Sequence, residues 1–253
     1  MKPGTALRLL RTSLDRNGFG GTLRRVSRLV TQAPAARRKA RADKAFDEER
    51  GVDTASWVRV PELDTTSANV AHAVRYEPSS VEEFGLLMDK LELDHRDFTF
   101  VDYGSGKGRA LMLAAGFPFK RIVGVEFAES LNEIARRNVA TLGADAARVD
   151  IVLLDATEFD PPPGPVVLYF FDPFDVPLLH GVLDRVLASL AQDPRPAYIV
   201  LTGPPELAAA VEQRGFERVN VDELGWLTRG VFIAPATLTP PALAQPVGES
   251  TCA

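Results

Sequence analysis

The stretch "FVDYGSGKGRALMLAAG", residues 100–116, sets Gly104, Gly106 and Gly108 between an apolar run and a helix-like run. Glycine tolerates positive φ and leaves no side chain in the way of an approaching ligand. A helix that starts at such a turn offers unpaired backbone N–H groups to an anion. Asp102 precedes the turn, and two bases, Lys107 and Arg109, follow it. The stretch reads as a binding loop for a molecule that carries a negative group.

Working outward from residue 98, strand-like and helix-like runs alternate. "FTFVDY" (98–103) reads as a buried strand and "KGRALMLAAG" (107–116) as a helix. "RIVGVE" (121–126) is a second strand, followed by the helical "AESLNEIARRNVATLG" (128–143). "VDIVLLDA" (149–156) and "PVVLYFFDP" (165–173) are the third and fourth strands, and "PLLHGVLDRVLASLAQ" (177–192) is helical. "AYIVLTG" (197–203) is the fifth strand and "ELAAAVEQRG" (206–215) a helix. "FERVNVD" (216–222) and "RGVFIAP" (229–235), joined without a helix, read as an antiparallel edge pair. Continuous β-rich runs alternating with helices imply a parallel sheet covered on both faces, hence an α/β, doubly wound architecture.

In such a sheet the ligand crevice lies beyond the carboxyl ends of the strands, where the winding reverses. The glycine loop follows the first strand and falls in that crevice. A dinucleotide fingerprint is G-x-G-x-x-G, whereas here the third glycine comes one position early. The Asp102 carboxylate would also repel a nearby pyrophosphate. S-adenosylmethionine has the opposite polarity, offering an ammonium to the acid and a carboxylate to the helix N–H groups. Glu126, 24 residues after Asp102, ends the second strand and can accept hydrogen bonds from ribose hydroxyls. Asp155 ends the third, beside Ala156, where an acid can accept an adenine amino group. Strand ends also carry helix-capping Asp, but three acids at three successive strand ends match the three polar parts of one ligand.

These residues resemble the seven-strand class I S-adenosylmethionine-dependent methyltransferases. The resemblance runs from about residue 74 to 234, through "VDYGSGKGR", "VGVE", "LLDATEF" and "LYFFDPF". It implies a Rossmann-like sheet of order 3-2-1-4-5-7-6, with S-adenosyl-L-methionine held by Asp102, Gly104, Ser105, Gly106, Gly108, Glu126, Asp155 and Ala156. "YEPSS" (76–80) ahead of the glycine motif is similar, more loosely, to the Tyr/Pro loop of the non-SET protein lysine methyltransferases of the histone H3 and ATP synthase c-subunit groups. "YFFDPF" (169–174) resembles the [DN]-P-P-[FYW] motif of amino-directed methyltransferases, with one proline in place of two. By that resemblance Asp172 orients the nucleophile, Pro173 exposes its carbonyl, and Phe174 walls the pocket. Tyr76 and Phe174 can face the sulfonium, since aromatic faces attract cations.

The expected activity is methyl transfer to nitrogen, with a protein lysine or another amine as acceptor. O- or N-methylation of a small metabolite is the second expectation, and a non-catalytic module that keeps the cofactor fold is the third. An ionised Asp172 would favour a protonated amine, which cannot attack; a lysine acceptor then needs desolvation or a proton acceptor. Asp172–Pro173 also reads as a plain helix start. Lys107 and Arg109 sit where the helix dipole disfavours cations, which suits a ligand role as well as exposure to solvent. Glu82 and Glu83 read as first-turn helix acids without chemistry.

The chain has 253 residues, 45% of them hydrophobic, which suits one large α/β domain with appendages. Residues 1–42 hold eleven Lys/Arg against one acid, a balance of +10, and the remainder holds 18 bases against 33 acids, a balance of −15. A basic helical arm (1–45) is therefore expected ahead of a cap and substrate loop (46–97), the cofactor-binding domain (98–235) and a flexible Pro-rich tail (236–253). Docking of the arm on its own domain or on a second subunit is favoured over binding to nucleic acid. With one cysteine, Cys252, and scattered His72, His95 and His180, no metal centre is expected. No apolar run reaches the roughly 20 residues of a membrane span, and a cytoplasmic location is expected.

Overall fold

The C-terminal end of the first strand is where the fold converges, because the strand is buried along its whole length and paired on both sides. In the computed structural model, which describes residues 37–59, 64, 65, 67, 69, 72, 76–223 and 227–238, β1 spans Thr99–Tyr103. It pairs in parallel with β2 (Arg121–Glu126), Asp102 opposite Gly124, and with β4 (Val166–Phe171), Asp102 opposite Tyr169. Beyond β2 lies β3 (Val149–Leu153), and beyond β4 lies β5 (Ala197–Gly203). An antiparallel strand, β7 (Thr228–Ile233), follows β5 and carries β6 (Glu217–Glu223) at the edge. The order is β3-β2-β1-β4-β5-β7-β6, the one the resemblance implies. Winding reverses between β1 and β4, so the ligand crevice of a doubly wound sheet belongs at their carboxyl ends.

Period-two alternation along the strands builds two cores. Val101 and Tyr103 of β1 face Leu168 and Phe170 of β4 and the apolar stripes of α5 (Val176–Gln192) and α6 (Pro205–Gln213), including Leu183 and Val211. Phe100 faces the other way, to Tyr169, to Phe84 of α2 (Val81–Asp89) and to Leu111 of α3 (Arg109–Ala114). α4 (Glu129–Ala140) contributes Val139 to that second core. The parity that sends Phe100 inward on the α2/α3 side sends Asp102 there too, which is why an acid ends up buried. Glu82 and Glu83 lie in the first turn of α2, and Glu83 pairs with Arg229 at 3.2 Å.

Helix α1 covers residues 37–50, and the chain divides into two units, Met1–Phe46 and Asp47–Ala253. The expected arm, apart from residues 37–45, and the tail beyond residue 238 lie outside the described residues. Among the described residues, no helix is long and apolar enough to cross a membrane, and no group of three or more His, Cys, Asp or Glu could hold a metal ion.

Candidate active site

An open cleft of about 690 Å³ lies at the carboxyl ends of β1, β2, β3 and β4. It gathers Tyr76, Gly104, Gly106, Glu126, Asp155, Ala156, Asp172 and Phe174, drawn from five segments of the sequence, with Glu77 and Asn69 beside them. A smaller polar cavity of about 260 Å³ shares Tyr76, Glu77, Gly104 and Phe171 with the cleft and adds Asp102, Ser105 and Arg109. Of the sequence-derived residues, Gly108 lines neither. It starts α3 in the left-handed region, at φ 81, and a Cβ there would stand 3.2 Å from the Cβ of Ala135, so its work is to let α3 approach α4.

The loop's amides are already engaged. Gly104 N–H and Ser105 N–H donate to the Val125 carbonyl at 2.9 and 3.1 Å, Gly106 N–H to Glu126 Oε2 at 3.0 Å, and Gly108 N–H to the Ser105 carbonyl at 2.8 Å. The expectation that the turn offers unpaired N–H groups to an anion therefore fails at these four positions. The reason is the tight seat of the loop on β2. Gly124 makes room for it, since a Cβ there would lie 2.6 Å from Leu111 and 2.8 Å from Ser105 Oγ. Lys107 and Arg109 are corrected as well: neither is exposed to solvent. Lys107 Nζ donates to Asp53 Oδ1 at 2.9 Å, and Arg109 donates to Thr54 Oγ1 and to Asp47 at 3.2 Å.

The acids differ in state. Glu126 is buried and held by the backbone N–H groups of Gly106 and, at 2.9 Å, Ala128; burial outweighs those bonds and raises its pKa. A carboxylate has about four acceptor sites, so Glu126 keeps capacity for a ligand donor. Asp155 has spent all four: Thr157 N–H at 2.9 Å, Thr157 Oγ at 2.6 Å, Ser67 Oγ at 2.5 Å and Asn69 Nδ2 at 3.0 Å. Burial works against its ionisation, but these bonds hold its pKa below the usual range. Asp155 also caps the 3-10 turn Ala156–Glu158, so an adenine amino group can reach it only by displacing Ser67 or Asn69.

Asp102 is pushed up to about 8, first by burial and then by the neighbouring Glu126 charge. Its ordinary value is 3.8. Between these values the folded protein keeps a proton that the unfolded chain has released, so the ligand-free protein loses stability as pH rises from about 4 to about 8. Urea midpoints compared at pH 5.5 and 8.5 (round values inside and above that window, about 3 pH units apart) are expected to fall, and to fall less in Asp102→Asn. An equal decline in both proteins removes Asp102 as the source.

At the other end, Asp172 is the one non-glycine residue with positive φ among the described residues, at 43°. Its N–H donates to the Thr202 carbonyl at 2.7 Å. The cap of α5 is Asp175, whose side chain accepts from Leu178 N–H at 3.3 Å, so Asp172–Pro173 is not the helix start that the sequence also allows. Backbone strain of this kind costs on the order of 1–3 kcal/mol and persists where surrounding structure enforces it, often at functional sites. Phe174 stands edge-on to Phe170, ring centroids 6.1 Å apart, and borders the same cleft. His72, which sequence reasoning left without a role, pairs through Nδ1 with Asp175 at 2.8 Å, next in sequence to Phe174.

Tyr76 closes the cleft over the loop. A Cβ on Gly106 would fall 2.2 Å from Tyr76 Cδ2 and 2.4 Å from Cε2, so that edge of the ring abuts the glycine and leaves no room for a larger residue. The Tyr76 hydroxyl donates to the Thr54 carbonyl at 2.8 Å, and burial pushes its pKa well above the ordinary phenol value, keeping the proton in place.

No family model matches the chain, and no curated protein does. Solved structures do. The pyocyanin biosynthetic protein PhzM is 18% identical, with a TM-score of 0.48 over 60% of this chain and 54% of that one. The geranyl diphosphate C-methyltransferase of Streptomyces coelicolor A3(2), in complex with Mg2+, geranyl diphosphate and S-adenosyl-L-homocysteine, is 15% identical, with a TM-score of 0.48 over 61% and 77%. The ribosomal protein L11 methylase of Lactobacillus delbrueckii subsp. bulgaricus is 13% identical, with a TM-score of 0.46 over 60% and 75%. The chain thus spans little more than half the length of PhzM. Its chemistry has to be read from the cleft.

Proposed function

We propose that the chain is an S-adenosylmethionine-dependent methyltransferase acting on nitrogen, with a protein lysine or another amine as acceptor. One observation carries this reading: the described lining of the cleft holds four acids, Glu77, Glu126, Asp155 and Asp172, and no Lys or Arg. Such a wall repels pyrophosphate and attracts cations. The ligand must also be long, since β3 and β4 lie three strand spacings apart, about 14 Å. S-adenosylmethionine, an elongated nucleoside with a net positive charge, fits both requirements. When bound it supplies a methyl group on a sulfonium.

The chain's own residues bind and orient. Glu126 accepts from the ribose hydroxyls, Asp102 receives the ammonium, and Gly104, Ser105 and Gly106 form the floor. Asp155 and Ala156 border the adenine end. Asp172 accepts a hydrogen bond from the acceptor nitrogen, while Tyr76 and Phe174 exclude water beside it. The nitrogen hands its proton to bulk water on entering the cleft and attacks as the free amine. Asp172 favours the charged amine, so it positions the acceptor, and the aromatic walls favour its neutral form by desolvation.

Glu126→Ala is expected to weaken S-adenosylhomocysteine binding by about 1–3 kcal/mol, the cost of leaving buried hydrogen-bonding groups unpaired. Calorimetry on both proteins measures it, and equal affinities remove Glu126 from the site. Activity is tested by incubating the chain with methyl-labelled cofactor and a cell lysate. Label in protein supports the lysine reading. Label confined to small molecules favours the second reading, O- or N-methylation of a metabolite; label on oxygen would point to the His72–Asp175 pair, since a carboxylate-oriented imidazole can take a hydroxyl proton. Absence of label, in a protein that binds the cofactor, overturns catalysis.

A further inference from the structure

Two buried cations stand at the head of α3, where the helix dipole opposes them. Each reaches back to one stretch of chain, residues 47–58, more than fifty positions earlier. Lys107 Nζ bonds Asp53 Oδ1 at 2.9 Å and Ser56 Oγ at 2.5 Å. Arg109 bonds Thr54 Oγ1 and, at 3.2 Å, Asp47. Asp47 in turn accepts from the Thr54 and Ala55 amides at 2.7 and 2.6 Å, which fixes the turn that Arg109 grips. Asn138 of α4 joins the two partners: its Nδ2 donates to the Asp53 and Lys107 carbonyls, both at 2.9 Å, and its Oδ1 accepts from Asp53 N–H at 3.0 Å.

The gripped stretch holds Tyr76 at two points. The Thr54 carbonyl accepts from the Tyr76 hydroxyl, and Val58 and Tyr76 exchange backbone hydrogen bonds of 3.3 and 2.9 Å. Lys107 Nζ also lies 5.8 Å from the Tyr76 ring centroid. An apolar contact could hold a strand down without the desolvation cost of buried charges. Hydrogen-bonded pairs add direction, since each bond accepts only a narrow range of distance and angle.

We propose that Arg109 and Lys107 are positioning residues, which lock residues 47–58 onto the glycine loop and, through the Thr54 carbonyl, set the Tyr76 ring against Gly106 as a wall of the cleft. This deepens the methyltransferase reading and rests on it only where cofactor affinity is the readout. The clamp itself has a readout of its own, the hydrogen exchange of the Val58 and Tyr76 amides.

The test uses the full chain with Arg109→Lys, which keeps the charge and loses the planar fork, Asp47→Asn, which is milder, and Tyr76→Phe. Arg109→Lys and Asp47→Asn are expected to speed exchange at Val58 and Tyr76 while β1 and β4 amides stay protected. The same two variants and Tyr76→Phe are expected to weaken S-adenosylhomocysteine binding by about tenfold, the effect of losing one hydrogen bond to a charged or buried group. Combining Arg109→Lys with Tyr76→Phe is expected to give much less than the product of the single effects, because both break one chain of contacts. Unchanged exchange in Asp47→Asn and Arg109→Lys overturns the clamp. Faster exchange with unchanged affinity, or single effects that multiply in the double variant, overturns its positioning role. A wild-type protein that fails to bind S-adenosylhomocysteine overturns the proposed function, and the exchange measurement still decides the clamp.

Discussion

Replacing Gly106 by alanine is expected to abolish measurable cofactor binding while leaving the sheet folded. The new Cβ would lie 2.2 Å from Tyr76 Cδ2 and 2.4 Å from Cε2, so the ring cannot stay where it is. The ring is also not free to leave, because its hydroxyl is bonded to Thr54 and its backbone to Val58. Alanine at φ 52 adds a left-handed penalty of about 1–2 kcal/mol. Gly143→Ala separates the two costs: its φ is 61 but nothing stands within 4 Å of a Cβ there. Both variants should lose thermal stability to backbone strain, Gly106→Ala the more because the clash adds to it, and only Gly106→Ala should lose S-adenosylhomocysteine binding by calorimetry. Full affinity in Gly106→Ala would mean that the contact between Tyr76 and the loop does not shape the site.

Asp172→Ala is expected to lower turnover on the order of 10²-fold or more, the usual loss when a group aimed at the reacting centre is removed. Cofactor affinity should change little, since the effect falls on the acceptor. Asp172→Asn should keep appreciable activity if hydrogen bonding, and not charge, orients the nitrogen. The backbone supplies an independent axis. At φ 43 glycine is at ease and asparagine tolerable, whereas alanine has no local bond to offset the strain. Stability should therefore order Asp172→Gly and Asp172→Asn above Asp172→Ala, while activity separates Asp172→Asn from the other two. An alanine variant with full turnover would sink the assignment of "YFFDPF" as the acceptor site.

Strand positions were legible because buried parallel strands are written as continuous β-branched and aromatic runs. "RIVGVE" and "AYIVLTG" have the same ends in the structure as in the sequence reading. Ends set by turn geometry were harder. α3 begins at Arg109 and not at Lys107, because Gly108 sits at φ 81 and leaves the helical region. β3 stops at Leu153, because Asp155 turns its carboxylate to cap the next turn. The two aspartates of "FFDPFD" were confusable, as each stands close before a proline; only the structure separates the strained Asp172 from the cap Asp175.

The glycine loop was legible as a turn but not as a set of hydrogen bonds, since the Val125 carbonyl that consumes its amides belongs to another strand. Residues 47–58 were legible only as part of a cap and substrate loop, not as a clamp. Asp47, Asp53, Thr54 and Ser56 look like an ordinary polar loop, and their partners lie 54 and 62 positions away at Lys107 and Arg109. One signal could have found them. Two bases at the head of a helix are unfavourable unless acids come from elsewhere in the chain, so their placement asked for a clamp as much as for a ligand.

Calorimetry of the full chain at neutral pH with S-adenosylhomocysteine, and in parallel with NAD, tests the central claim most directly. An acid-lined cleft with Glu126 between the loop and the third strand predicts saturable binding of S-adenosylhomocysteine at one site and no heat from NAD. It also predicts protons released to the buffer, since an ammonium beside Asp102 draws its carboxyl down from about 8. Silence with S-adenosylhomocysteine, above all beside saturable binding of NAD, would contradict it.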